Sequence, residues 1–341
     1  AVFAVSQRAL DRAASVPGRG YYFDFLEFKK NHDKNMTPST PAISLIYGLK
    51  HQLDRCLAEG LENRHARHRQ MAETTRAWAL GQGFELFPAA GYESVWTGEH
   101  IVLPDPQAPP SPSAPETNFV DSAVALTYVA AVTSTIKLGT GIIILPQRQP
   151  AVLAKSLASL DRLSGGRLLF GLGVGYLEPE MTACSTPMEA RGRRADEYLA
   201  AMRVLWSTDA GSFDGEFVRF ESVTANPKPA QADLHTVVGG HSAVAARRAV
   251  ASAHGWYGFM RDPETTGADL DRLRRAADEV ERPDHLGKLE ISITPARRLD
   301  ADALDAYTEL GVDRLILQPG RRAEGRDGLL GFVEDNAPST W

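Results

Sequence analysis

Cysteine is almost missing from this chain. Its 341 residues hold two, Cys56 and Cys184, with neither a disulfide framework nor a metal-ligand spacing. No metal site is therefore expected, and both thiols should stay reduced in a cytoplasm. No apolar run approaches the roughly 20 residues of a membrane-spanning helix. A charged-then-apolar leader is also missing, and the chain opens on Ala1 rather than methionine, as a fragment would. Basic charge is not in surplus either. Lys and Arg number 37 against 43 Asp and Glu, a net charge of −6, which leaves no footprint for nucleic acid or an anionic membrane.

What is present suits a soluble globular protein. Hydrophobic residues make up 43%, enough for a buried core, and the length fits one (β/α)8 barrel or two modest domains. Residues 132–181 read VTSTIKLGTGIIILPQRQPAVLAKSLASLDRLSGGRLLFGLGVGYLEPEM. An apolar run over 137–145 ends at Pro146. Val152, Leu153, Leu157, Leu160 and Leu163 then recur at spacings of three and four, Ser164-Gly165-Gly166 stops that helix, and a second apolar run spans 168–174. Two continuous apolar runs joined by an amphipathic helix form a βαβ unit whose strands are buried on both faces. Glycines 139, 141, 171, 173 and 175 crowd the carboxyl ends of these runs. Ligands sit at that end of parallel strands, where glycine lets a flat ring approach the backbone.

The phrases LGTGIIILPQRQP, LASLDRLSGGRL and GLGVGYLEPEM resemble the luciferase-like family of flavin- and deazaflavin-dependent oxidoreductases, and the likeness runs from about residue 94 to 335. It implies an α/β fold of TIM-barrel type. Strands two to eight are expected at 94–96, 137–145, 168–174, 236–239, 256–259, 290–294 and 314–318. The first βα unit of such a barrel is missing. The first ninety or so residues resemble another family. VFAVSQRALDRAASVP, NMTPSTPAISLIYGL and GLENRHARHRQMAE are similar to the small-domain side of class V aminotransferases that use pyridoxal phosphate. That family's Schiff-base lysine lies upstream of such a segment. Lys29, Lys30, Lys34 and Lys50 stand in the wrong context to replace it, so pyridoxal phosphate is not expected. Thr37, Ser39 and Thr40 are read as a helix-entry loop. The expected organisation is an aminotransferase-like α+β fragment over 1–92, the barrel over 93–335 and a tail over 336–341. The runs 2–5 and 84–87 are the upstream strand candidates, and neither is expected to complete the barrel, which leaves seven strands and a gap.

Position selects the candidate site. Trp96, Glu99 and His100 fall at or just past the end of a barrel strand, where catalytic side chains belong. In the deazaflavin branch an acid followed by histidine lies there against the reactive ring. Histidine suits proton handling near neutrality, and Trp96 could stack on a ring. Gly141-Ile142 matches the place where the family carries a non-proline cis peptide. Arg148 could pair with a phosphate or carboxylate of the cofactor. Gly175 and Tyr176 complete the cofactor side, but Gly173-Val174-Gly175-Tyr176 is no dinucleotide fingerprint, since the flanking order is wrong. Gly239, Gly240, His241 and Ser242 lead a strand into a helix, where free N–H groups favour a phosphate. The loop 318–321 is the rival anion site. Glu178 and Glu180 are expected to be solvated or to cap a helix.

The resemblance implies coenzyme F420 and hydride transfer to or from a small organic substrate. Alternatives are an FMN-dependent monooxygenase using dioxygen and a truncated, non-catalytic chimera, with an aminotransferase last. A homodimer is compatible with the reading.

Overall fold

The computed structural model describes residues 5–16, 24–34, 50, 51, 53–55, 57–60, 62–64, 66, 67, 70, 91–320 and 325–338. The chain divides into two compact units, Ala1–Thr75 and Arg76–Trp341. The first unit holds α1 (Gln7–Ala14), started by Ser6, whose hydroxyl accepts from the Ala9 N–H, and α2 (Phe25–His32), started in the same way by Asp24. Both caps satisfy an amide that the first turn leaves without an intrahelical partner. Further helical residues lie between 50 and 70. Residues 2–4 of the run 2–5, the run 84–87 and the hydroxyl loop at 37–40 lie outside the described residues.

The second unit is an alternation of strands and helices. Its strands are β1 (Ser94–Thr97), β2 (Lys137–Thr140), β3 (Ile143–Ile144), β4 (Leu168–Gly173), β5 (Gly211–Asp214), β6 (Arg219–Val223), β7 (Thr236–Gly239), β8 (Gly255–Arg261), β9 (Glu290–Pro295) and β10 (Arg314–Leu315). Its helices are α3 (Ser122–Val132), α4 (Pro150–Ser164), α5 (Glu178–Ala183), α6 (Arg191–Ser207), α7 (Ala243–Ser252), α8 (Pro263–Glu279), α9 (Ala301–Glu309) and α10 (Gly325–Asp335). The main sheet runs β1-β2-β4-β7-β8-β9-β10 with β3 beside β4, and every pairing in it is parallel. All seven strand positions read from the sequence are therefore found, in order. Strand three differs in one respect: it breaks at Gly141-Ile142, whose peptide is cis, into β2 and β3.

Local chemistry sets the boundaries. Asp121 accepts from the Val124 N–H and starts α3; Gly165, at φ +72°, takes the left-handed position that ends α4. Tyr198, Met202 and Leu205 on α6 are buried as their spacing requires. The Asp214-Gly215 turn joins β5 to β6 as an antiparallel hairpin, and Glu197 of α6 clamps it by accepting the amides of 216, 217 and 218.

The sheet curls. Arg314 on β10 reaches Glu93, just before β1, with two bonds of 2.9 and 3.1 Å. The same guanidinium meets Glu290 and Ser292 of β9 and lies 6.0 Å over the Trp96 ring. The first and last described strands of the sheet are thus drawn together by one side chain. Among the described residues no helix is long and apolar enough to cross a membrane.

Candidate functional site

The carboxyl ends of the strands carry most of the expected residues. Trp96 lies in β1, within the expected strand, and its ring stacks on Tyr257 at 6.0 Å inside the curled sheet. A side chain at Gly139 would collide with that ring. Ile142 fills the neighbouring space: a Cβ at Gly173 or Gly239 would strike its Cδ1, the latter at 2.5 Å. A Cβ at Gly171 would collide with the Thr140 carbonyl, and one at Gly175 would sit 2.7 Å from the Met181 sulfur. Gly139, Gly173, Gly175 and Gly239 thus clear space for the protein's own side chains and Gly171 for a backbone carbonyl, a demand distinct from that of a flat ring. Sequence alone could not separate the two, because both demand an absent Cβ.

Glu99 and His100 follow β1 as expected and point into different environments. Glu99 is 6% exposed. Its carboxylate pairs with Arg148 at 2.9 Å and lies 3.4 Å from the Ile144 amide. Burial pushes the Glu99 carboxyl up, with Arg148 pulling the other way. Arg148 also binds Asp121 at 2.9 Å, so two carboxylates of the protein meet its charge. Asp121 thereby starts α3 and holds an arginine at once.

His100 is enclosed. Its Nδ1 faces Glu180 Oε2 at 3.1 Å, while Phe119 and Tyr176 stand edge-on to the ring at 5.1 and 6.3 Å. Glu180 overturns the expectation that it is solvated: it is 2% exposed. Its other oxygen accepts the Ile101 N–H at 2.5 Å. Glu178, by contrast, is exposed. The buried partner lies 80 residues from His100, beyond any local pattern. Tyr176 is 48% exposed, and burial raises its hydroxyl.

The expected phosphate loop is built from β7 into α7. Gly240 stands at φ +124°, conformational space that favours glycine, and its carbonyl accepts Trp256 Nε1–H at 2.8 Å. Ser242 caps α7 by accepting from the Ala245 N–H. His241 Nδ1 faces Arg261 Nε–H at 3.0 Å, with the Asp269 carboxylate 3.4 Å from the same nitrogen. Burial, then Arg261, pushes His241 down. Arg261 and Arg272 share one buried carboxylate, Asp269, near the start of α7. Those donors fit the anionic end of a cofactor. Neither Arg261 nor Asp269 shows any local signal in the sequence.

The rival loop owns a cavity. A space of about 750 Å³ opens at the carboxyl ends of β8, β9 and β10, lined by Met260, Arg297, Leu299, Gln318, Gly320 and Phe332 among others. That volume suits a small organic molecule. Arg321 lies outside the described residues.

Known proteins resemble this chain along most of the second unit. The family model described as "Luciferase-like monooxygenase" matches residues 63–330. An uncharacterized protein of Mycobacterium tuberculosis is 31% identical over 259 residues, covering 73% of this chain and 89% of that protein. An FMNH2-dependent dimethylsulfone monooxygenase of Pseudomonas putida is 32% identical over 134 residues, 38% of this chain and 35% of that protein. Among solved structures, an F420-dependent secondary alcohol dehydrogenase superposes with a TM-score of 0.56 at 15% identity, over 71% of this chain and 88% of that one. The chain belongs to the luciferase-like monooxygenase family, whose members are flavin- or F420-dependent oxidoreductases and monooxygenases.

Proposed function

We propose that this chain transfers hydride between coenzyme F420 and a small organic substrate, with His100 handling the accompanying proton. The observation that carries this reading is the Glu99–His100 pair directly after β1. Glu99 is spent on Arg148, while His100 Nε2 has no protein partner among the described residues. When bound, the deazaflavin supplies a hydride-carrying carbon in place of the flavin nitrogen that reacts with oxygen. The residues 239–242, with His241 backed by Arg261, would hold its phosphate. Ile142 and Trp96 give the site a packed floor. The Glu99–Arg148–Asp121 group keeps the β1 loop and the start of α3 in register. The cavity over β8–β10 would admit the substrate. We place the enzyme in the cytoplasm, with a homodimer as its assembly and no nucleic acid or membrane partner. No part in this chemistry is assigned to residues 1–62, which precede the family match, or to pyridoxal phosphate.

A second reading, an FMN-dependent monooxygenase, is favoured by the similarity to the dimethylsulfone enzyme. Separate titrations of the purified chain with F420 and with FMN, followed by absorbance and fluorescence, distinguish them. Tight F420 binding with weak FMN binding is expected, and the reverse would sink the deazaflavin reading. In the reconstituted enzyme, His100→Ala should lower turnover roughly 10²–10⁴-fold while leaving cofactor affinity nearly unchanged. Near-normal turnover would reduce His100 to a loop residue.

A further inference from the structure

Both oxygens of Glu180 are occupied, Oε1 by the Ile101 N–H and Oε2 by His100 Nδ1. Burial opposes the charge on this side chain, yet the bonds from His100 and Ile101 hold its carboxyl below the usual range. An ionised carboxylate only accepts hydrogen bonds. A nitrogen facing it at 3.1 Å therefore carries a hydrogen. In a neutral His100 ring that hydrogen sits on Nδ1, and the lone pair falls on Nε2. Phe119 and Tyr176, edge-on at 5.1 and 6.3 Å, leave the ring little room to turn over.

We propose that Glu180 is a positioning residue: it holds His100 in the Nδ1–H form and presents Nε2 as the nitrogen that takes or gives the substrate proton. This rests on the acid–base reading of His100 given above. Because the same carboxylate binds the amide of the next residue, Ile101, the ring is tied to the backbone of its own loop. Orientation of an imidazole through its second nitrogen is a general way to choose which nitrogen reacts.

Glu180→Gln gives a test in which the sign of one hydrogen bond changes. The Ile101 N–H needs the single remaining carbonyl oxygen, so the amide NH2 turns to His100 Nδ1 and forces it to accept. Long-range proton–nitrogen correlation spectra of the full chain, recorded well above the ordinary histidine titration range, report which nitrogen is protonated. The His100 signals are identified by their loss in His100→Ala. Wild type should show Nδ1–H and Glu180→Gln should show Nε2–H. F420 and FMN affinities should stay within about twofold, and turnover with F420 and a panel of small secondary alcohols should fall by roughly 10²-fold or more. An Nε2–H ring in wild type overturns the proposal even if the variant fails to fold. An unchanged tautomer in a folded variant overturns it too. A tautomer that inverts without loss of turnover refutes the acid–base reading itself, and the proposal falls with it.

Discussion

At the scale of single residues, Ile142 does more than any other side chain to define the floor of the site. It projects from the cis peptide into space that Gly173 and Gly239 leave free. Gly173→Ala should therefore overpack the interior and cost about 1–3 kcal/mol, read as a lower urea midpoint. Trimming the partner should relieve it. In the double variant Gly173→Ala with Ile142→Ala, the two losses should sum to less than the singles predict, and strict additivity would show that the residues do not touch. The glycines themselves were plain in the sequence; what fills the space beside them was not. The same holds for Glu180. Its letter, beside Pro179 and two residues from the exposed Glu178, looks like a solvated helix start, and only its long-range partner His100 makes it part of the site.

At the scale of elements, periodicity and capping chemistry made the second unit legible. Leu153, Leu157 and Leu160 mark the buried face of α4, while Val152 and Leu163 of the same pattern are exposed; a glycine ends the helix, and Ser242 begins the one its loop was expected to lead into. Less visible was how the elements are pinned together. Asp161, fully buried near the end of α4, accepts from the Leu168 amide, the amides of Ala230 and Gln231, and the Gln231 side chain. One carboxylate so fastens α4, β4 and the chain entering β7. Asp161→Ala would strand the buried Leu168 amide and the part-buried donors of Ala230 and Gln231, at about 1–3 kcal/mol for each one left both buried and unsatisfied. A loss of at least about 2 kcal/mol in chemical denaturation is expected, with the helices and strands of the native circular dichroism retained below the transition. A change under about half a kcal/mol would mean that water replaces the carboxylate without penalty.

At the scale of the whole second unit, acid should loosen the curled sheet in two stages. His254 accepts the Thr236 N–H on Nδ1 at 3.1 Å, and burial, then His235, pushes its ring below the ordinary 6.5. Its contribution is present above 6.5 and fades as pH falls. Glu93 is held down from 4.5 to about 2 by Arg314 and then Lys137, and Glu290 likewise by His235 and Arg314. Folded-state values below the unfolded ones give stability that is complete above 4.5 and vanishes as pH drops through about 2. Urea midpoints should therefore decline gently below 6.5 and steeply below 4.5. Glu93→Gln should flatten the lower limb, and an unaltered limb would remove the Arg314 contact from the account.

That contact also bears on the order of events during folding. Arg314 and Glu93 are 221 residues apart, and the strands between them must already lie side by side before the guanidinium can find its partner. A bond of such long loop closure forms late. Arg314→Met should consequently leave the refolding rate nearly unchanged and speed unfolding instead, the behaviour of a residue that is unstructured at the barrier. In stopped-flow traces the folding arm of wild type and variant should overlay while the unfolding arms separate. A single side chain would then govern how long the curled sheet lasts without affecting how quickly it is made.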